Sequence, residues 1–171
     1  MGFRYWTHDD LDLALGLWGD IRVTKFIDAR GLLSKNQIKE RLAKEIAIAE
    51  SFGVQYWPIF LLSNDWHVGC CGLRPYDFSA GIYEIGFHIR SKYWQHGYAA
   101  EAARAVVKYA FEKLRAVSLF AGHHPRNNIS RQLLLRLGFR YTHDEYYAPT
   151  GLNHLSYTVT MSDYTKLKNS D

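Results

Sequence analysis

The spacing of apolar residues predicts two helices in the first third of the chain. Leucine, alanine and tryptophan recur at helical intervals over residues 11–18, and Gly19 can end this helix. Ser34 and Gln37 form a capping box, so a second helix is predicted from that point, and Gly53 can end it. The apolar stripe of the second helix contains Ile38, Leu42, Ile46 and Ala49.

Short apolar runs predict strands at residues 3–7, 55–62, 66–73 and 82–89. Pro58 lacks an N–H group, so it indicates a sheet edge or a bulge in the second run, and Pro75 is expected to stop the third. The last run alternates strictly, which is typical of a strand with two different faces. One face carries Tyr83, Ile85, Phe87 and Ile89, and the other carries Glu84, Gly86 and His88.

The second half of the chain is predicted to alternate between strands and helices. Amphipathic helices are predicted at residues 97–114 and 127–137, and Gly138 can end the latter. Strands are predicted at residues 117–123, 139–147 and 154–161. Hairpin-linked strands around a strand–helix–strand crossover imply a mixed α+β fold, in which helices cover both faces of a mixed sheet.

The composition is that of a globular protein. The 171 residues are 47% apolar and 15% aromatic, which suffices for a sizeable core, and this length predicts a single domain over residues 1–171. No apolar run reaches the roughly 18–20 residues of a membrane span, and the start of the chain lacks the layout of a signal peptide. A cytoplasmic protein that does not bind membranes is therefore predicted.

Charge and cysteine content narrow the possible ligands. The formal net charge of +4 permits an anionic ligand, but no dense lysine and arginine tract suggests nucleic acid. Cys70 and Cys71 are adjacent, so on a strand they point to opposite faces and a mutual disulfide is not expected. They also lack the spacing of metal ligands, and no metal is predicted.

The start of the helix at Gly97 is a candidate anion site. The first N–H groups of a helix have no partner within it and carry partial positive charge, so they bind phosphates readily. Gly97 has no Cβ, and Ala99 and Ala100 are small, so an anion can approach the backbone closely. The segment is neither a Walker A loop nor a dinucleotide-binding fingerprint, because it lacks the residue spacing of both.

Two motifs in the chain resemble one enzyme family. EIGFHIRSKYWQHGYAAEA, residues 84–102, resembles motif A of the GNAT superfamily of acyl-CoA N-acyltransferases. Its W-x-x-G-Y-A-x-E-A pattern is similar to the ribosomal-protein alanine acetyltransferases, the RimJ/RimL type. NNISRQLLLRLGF, residues 127–139, resembles the second signature of that branch, and the order of elements is similar over nearly the whole chain.

This resemblance implies a GNAT fold, with a central, mostly antiparallel, twisted sheet of about six or seven strands and one splayed parallel pair. It also implies an N-acetyltransferase that moves an acetyl group from acetyl-CoA, its co-substrate, to a primary amine by direct attack in a ternary complex. The acceptor would be the N-terminal α-amine of a protein or a small-molecule amine. The alternative is a non-catalytic domain that binds acyl-CoA or a protein partner.

The resemblance further implies which residues bind the co-substrate. Asn127 would hydrogen-bond the pantetheine arm, and Ser130 would lie near the thioester sulfur. The chain departs from the family at Gln95, where the branch usually has glycine, and at Leu134, where the superfamily often has a tyrosine acid. The strand end that would pair its backbone with the pantetheine arm consists of Phe87, His88 and Ile89. The turn that would hold the pyrophosphate consists of Trp94, Gln95, His96, Gly97, Tyr98 and Ala99.

Glu84 is the candidate proton acceptor for the attacking amine, which must be neutral to react. It lies mid-strand opposite the apolar face, the resembled branch often has glutamate there, and it can act directly or through water. Alternatively, Glu84 only pairs with Arg90 or His88. His88 is a second candidate base because of its ordinary pKa, unless it is a structural histidine.

Ser130 can assist the departing thiolate or serve only the helix start, and Asn127 can also be a helix cap.

The amine acceptor is expected to bind between two irregular segments. Residues 144–157 are rich in aromatic side chains, and Asp144 and Glu145 can attract a cation there, unless the tyrosines simply pack in a hairpin. Residues 23–33 can form the opposite wall, with Asp28 and Arg30 as ordinary loop charges. The sequence leaves open whether the protein is a monomer or a homodimer.

Overall fold

A computed structural model describes residues 1–169 and contains one sheet of seven strands. The strands are β1 (Gly2–Phe3), β2 (Tyr56–Phe60), β3 (His67–Asp77), β4 (Ile82–Ile89), β5 (Ser118–His123), β6 (Arg140–Tyr147) and β7 (Leu152–Thr160). The helices are α1 (Leu11–Trp18), α2 (Ile21–Thr24), α3 (Lys35–Phe52), α4 (Tyr98–Glu112), α5 (Asn128–Arg136) and α6 (Met161–Lys168). The strand order is β1-β2-β3-β4-β5-β7-β6.

The sheet separates in its middle, between β4 and β5. These two strands form the parallel pair, and the other neighbouring strands are antiparallel. The parallel pairing starts at Ile82 opposite Ser118 and ends at Glu84 opposite Phe120, although β4 continues to Ile89. The backbone of β4 beyond Glu84 therefore has β3 on one side and, among residues 1–169, no strand on the other. The predicted mixed fold with one splayed parallel pair is confirmed.

Helices cover both faces of the sheet, and each face has its own core. One core contains the buried faces of α4 and α5, and the other contains those of α1 and α3. Cys70 belongs to the second core and Cys71 to the first, so these free cysteines lie on opposite faces as expected. The predicted alternation of β4 is likewise confirmed, because Tyr83, Ile85 and Ile89 all pack in the first core.

Tertiary contacts change two of the predicted strands. The first strand ends at Phe3 because the next residues bind elsewhere: Arg4 pairs with Asp10, and the Trp6 N–H donates to the Gln55 side chain. The third strand does not stop at Pro75. It continues to Asp77, with an irregular register against β4 after the proline. The bulge expected near Pro58 is present one residue later, between Ile59 and Phe60.

Two short helices were not predicted from the apolar pattern. The four-residue α2 begins at Ile21 and is capped by Asp20, whose side chain accepts a hydrogen bond from the Arg22 N–H. The helix α6 follows β7 and has a capping box formed by Thr160 and Asp163. Over residues 1–169, none of the helices combines the length and apolar character needed to cross a membrane.

Candidate functional site

A cavity of about 420 Å³ lies where β4 and β5 separate. Its walls come from the middle of β4, the end of β5, the loop over residues 25–29 and the hairpin of β6 and β7. Of the residues predicted for the site, those that line the cavity are Glu84, Phe87, His88, Asn127 and Ser130. The predicted residues that lie outside the cavity lining are Ile89, Trp94, Gln95, His96, Gly97, Tyr98 and Ala99.

Glu84 is a partly buried carboxyl group in the wall of the cavity. Burial raises its pKa above the ordinary value, while the positive charge of Arg74 and a hydrogen bond from Tyr56 oppose that rise. Arg74 stands opposite Glu84 in the register of β3 and β4. Gly86 makes room for Tyr56, because a Cβ there would clash with the phenol ring. Glu84 therefore interacts with Arg74 and Tyr56. The alternative prediction, that it pairs with Arg90 or His88, is wrong.

His88 is held as a neutral hydrogen-bond donor. The indole N–H of Trp18 and the thiol of Cys70 lie 3.3 Å and 3.4 Å from its Nδ1 atom. Because an indole N–H can only donate, Nδ1 accepts and the ring proton lies on Nε2. Burial, together with the charges of Arg41 and Arg74, lowers the pKa of His88 well below its ordinary value. This environment makes His88 a poor proton acceptor, so Glu84 is the stronger of the two candidate bases.

Asn127 and Ser130 lie at the start of α5, on the β5 side of the cavity. The Asn127 side-chain oxygen accepts a hydrogen bond from the Ser130 backbone N–H at 3.2 Å, so Asn127 is an N-cap. This bond uses the amide oxygen and leaves the amide NH₂ of Asn127 available. The Ser130 hydroxyl has no hydrogen-bond partner within residues 1–169, and buried Leu134 lines the cavity one helical turn later.

The turn before α4 exposes a row of backbone N–H groups. Gln95 and Gly97 both have left-handed backbone angles, with φ of 65° and 79°. A Cβ placed on Gly97 would meet nothing within 4 Å, so the space above this helix start is open. Glycine would adopt the left-handed angle at position 95 without strain, whereas the side chain of Gln95 strains that conformation. The shape fits an anionic group that approaches the main chain.

Side chains near this turn mostly bind the protein itself. The Trp94 indole donates to the Ile89 carbonyl at 2.8 Å, and His96 Nδ1 lies 2.7 Å from the Trp94 carbonyl. Arg90 Nε donates to the Gly16 carbonyl at 3.0 Å, which directs this cation towards α1 and away from the turn. Lys92 lies over the Tyr93 ring, with Nζ 4.8 Å from the ring centroid, so the turn presents mainly backbone groups to an anion.

Several residues that line the cavity were not predicted from the sequence. Tyr56 and Arg74 approach Glu84 through strand register, which periodicity does not reveal, and Arg41 comes from α3, far away in the chain. A histidine cluster also lines the cavity. Burial lowers the pKa of each of its members, which are His123, His124 and His154. Within residues 1–169, no group of three or more histidine, cysteine or acidic side chains is arranged to hold a metal ion.

Comparison with known proteins assigns the chain to a family. Residues 1–140 match the family described as an acetyltransferase (GNAT) domain. The chain belongs to the GNAT acetyltransferase family. It is 26% identical over 132 residues to a Bacillus licheniformis protein named uncharacterized N-acetyltransferase p20, an alignment that covers 77% of this chain and 74% of p20. The predicted enzyme class, an acyl-CoA-dependent N-acetyltransferase, is confirmed at this level.

Solved GNAT structures share the fold. A GNAT acetyltransferase from Bacillus anthracis has a TM-score of 0.80 at 24% identity, covering 94% of each chain. A protein described as a ribosomal-protein-serine acetyltransferase from Vibrio cholerae has a TM-score of 0.76 at 19% identity, covering 92% of each chain. At these identities the likeness concerns the fold alone.

Proposed function

We propose that this GNAT protein acts as one domain over residues 1–171 and transfers an acetyl group from acetyl-CoA to a primary amine by direct attack in a ternary complex. The observation that carries the proposal is the opening between β4 and β5. It gives the partly buried carboxyl of Glu84 access to a cavity, and the free edge of β4 leads from that cavity towards the helix start at Gly97.

The co-substrate would lie along this free edge. The N–H groups at residues 95–100 suit a pyrophosphate, because they have no backbone partner among residues 1–169, lie at the positive end of α4 and face open space at Gly97. From Ile89 back to Glu84 the strand spans roughly 17 Å, along which residues 87–89 can pair with an extended arm. The free amide NH₂ of Asn127 suits the same arm from the β5 side. No metal is needed in this scheme.

Bound acetyl-CoA would supply a thioester carbonyl that the amine attacks, forming a C–N bond as the C–S bond breaks. Glu84 would take the amine proton, directly or through a water molecule, and its raised pKa makes it a stronger base than an exposed carboxylate. The hydroxyl of Ser130 would offer a hydrogen bond to the leaving sulfur. At pH 7 an α-amine is roughly 15% neutral and a lysine below about 0.1%, so an α-amine is the easier acceptor.

The finer assignments rest on the sequence motifs. We propose the RimJ/RimL-type branch on the two signatures at residues 84–102 and 127–139, and the Vibrio cholerae neighbour described as a ribosomal-protein-serine acetyltransferase is in keeping with it. The acceptor would be a protein N-terminal amine or a small-molecule amine. A cytoplasmic location and a monomeric or homodimeric state complete the proposal, with no role for nucleic acid or membranes.

The Glu84→Gln variant tests the assignment of the base. Thiol release from acetyl-CoA should fall about 10²- to 10⁴-fold with any accepted amine, because the amide cannot take a proton, while coenzyme A affinity should stay near that of wild type. The wild-type rate should also decline as the pH falls through the raised Glu84 pKa. A steady-state assay across pH, paired with calorimetry, provides both readouts.

The matched control is Glu50→Gln, the same substitution at an exposed position of α3. An unchanged rate in folded Glu84→Gln would reject this residue as the base. Coenzyme A binding without thiol release, across a wide panel of amines and peptides with the wild-type protein, would favour the non-catalytic alternative.

A further inference from the structure

Arg41 of α3 is a largely buried cation in the wall of the cavity. Its side chain is 12% exposed and stacks on Trp18, with Cζ 4.9 Å from the ring centroid. A guanidinium has five N–H donors and keeps its proton inside proteins. A charge at this depth is unfavourable unless it is paired and hydrogen-bonded. The partners of Arg41 therefore indicate whether the protein satisfies it without a ligand.

The protein leaves this guanidinium short of partners. Its hydrogen bonding within residues 1–169 is one contact from Nη1 to Asp28 at 3.3 Å, and its Nε atom is buried without a partner. Asp28 is already bound by Arg30, which donates to it from its backbone N–H, Nε and Nη2 at 2.8–3.0 Å. The neighbouring Arg74 forms an ion pair with Glu45 instead. Apart from Nη1, the N–H donors of Arg41 thus have no anionic partner among residues 1–169.

His88 adds a second donor to the same wall. Its proton lies on Nε2, since Trp18 and Cys70 direct their hydrogens at Nδ1, and Nε2 has no hydrogen-bond partner in the described part of the chain. Trp18 contacts both His88 and Arg41, so the two donors lie close together on the face of the sheet covered by α1 and α3. A neutral N–H beside a guanidinium is a suitable pair of donors for an oxyanion.

We propose that Arg41 and His88 bind a carboxylate of the acceptor, so that the substrate is an amine that also carries an acid group. This inference rests on the acetyl transfer proposed above and names the class of acceptor. A carboxylate suits the cavity better than a phosphate, because Asp28, Glu84 and Glu145 also line it and would repel a second negative charge.

The positions of the residues on β4 also restrict the spacing within the acceptor. Glu84 and His88 lie four residues apart on the same face, so their Cα atoms are about 13 Å apart along the strand. An amine close to Glu84 and an acid group close to His88 cannot share one carbon atom. The acceptor therefore has a spacer between the two groups, as in an ω-amino acid or a short peptide with a free carboxyl end.

Paired probes test this directly with the wild-type protein. The probes are γ-aminobutyrate, ε-aminocaproate and glycylglycine, each compared with its own amide, and glycine with glycinamide as the short reference. Binding is measured by calorimetry with and without coenzyme A, and thiol release is measured with acetyl-CoA. At least one of the longer acids should bind about 10- to 100-fold more tightly than its amide, as expected for a hydrogen bond to a charged group. Glycine should show no such preference.

Two variants assign the preference to Arg41. Arg41→Gln should abolish the difference between acid and amide, whereas Lys39→Gln, which removes one positive charge from an exposed position of the same helix, should preserve it. Should Arg41→Gln fail to fold, Arg41→Lys provides a second test. It keeps the positive charge but loses the planar guanidinium group, so it should reduce the preference for the acid over its amide.

The outcomes separate this inference from the proposed function. If no acid binds more tightly than its amide, the carboxylate subsite is wrong, even if the amides are acetylated and the proposed function stands. A preference that survives in folded Arg41→Gln would equally overturn the role of Arg41. Failure of the protein to take up coenzyme A would instead count against the proposed function, while the binding comparison without coenzyme A still decides the subsite.

Discussion

Individual polar residues around the cavity are buried more deeply than their hydrogen bonding accounts for. Arg41, Arg74 and His123 each have a buried side-chain nitrogen without a partner in the described residues. Such groups lower stability, and functional sites are where they are most often tolerated. Three of the four residues that carry them within residues 1–169 line this one cavity, which supports its role. The chemical type of Glu84 made it a candidate from sequence. Its partners were not foreseeable, because they depend on how distant strands align.

A histidine outside the cavity allows a test of buried-residue energetics. His67 is 5% exposed, neither of its ring nitrogens has a partner within residues 1–169, and burial and nearby Arg90 lower its pKa from 6.5 to about 4. The unfolded chain takes up a proton near pH 6.5, whereas the folded protein resists it down to about pH 4. The contribution of His67 to the free energy of unfolding is therefore constant above pH 6.5. It falls by about 3 kcal/mol as the pH drops towards 4.

Urea unfolding at a series of pH values measures this effect. The free energy of unfolding of His67→Gln should depend less steeply on pH than that of wild type between pH 6.5 and 4. His8→Gln, at an exposed position, should keep the wild-type slope. Equal slopes for His67→Gln and wild type would show that His67 is protonated in the folded protein without cost.

Among the elements, helix ends were more predictable than strand ends. The capping box at Ser34 and the glycines at positions 19, 53 and 97 act through local chemistry, which is written in the adjacent sequence. The ends of β1 and β3 depend on partners brought by the rest of the fold, so the predictions at residues 3–7 and at Pro75 were wrong. The short helix α2 offered too few residues for a periodic pattern to emerge.

The proposed anion site at the start of α4 can be tested by comparing alanine substitutions of Gly97 and of Gly53, the glycine that follows α3. Gly97 and Gly53 both have left-handed backbone angles and open space at the Cβ position, so alanine at either position should cost about 1–2 kcal/mol of unfolding free energy. Only Gly97→Ala should weaken coenzyme A binding, by about tenfold, because its methyl group would displace an anion from two or more N–H contacts worth about 0.3–1 kcal/mol each.

Calorimetry and urea unfolding of the two variants give both quantities. Gly53→Ala is the matched control, since it has the same backbone strain at the other end of a different helix. Equal coenzyme A affinities for Gly97→Ala and Gly53→Ala would exclude the turn as the anion site.

At the scale of the whole molecule, function depends on a sheet that stays partly unpaired. The chain leaves β4 through α4 and returns as β5 in parallel, and the two strands pair over three positions before they separate. The strand–helix–strand crossover was visible in the order of apolar patterns. The separation was not, since the register of two strands is invisible to periodicity, and its prediction came from the resemblance of motifs to the GNAT superfamily.

The central claim is that the free edge of β4 and the turn before α4 together hold coenzyme A. A titration of folded, isotope-labelled protein with coenzyme A, followed by amide resonances, tests it most directly. Saturable changes should concentrate at residues 85–89 and 95–100, with weaker changes at Asn127. The account is contradicted if the folded protein shows no saturable change, or if the changes lie on another face of the molecule.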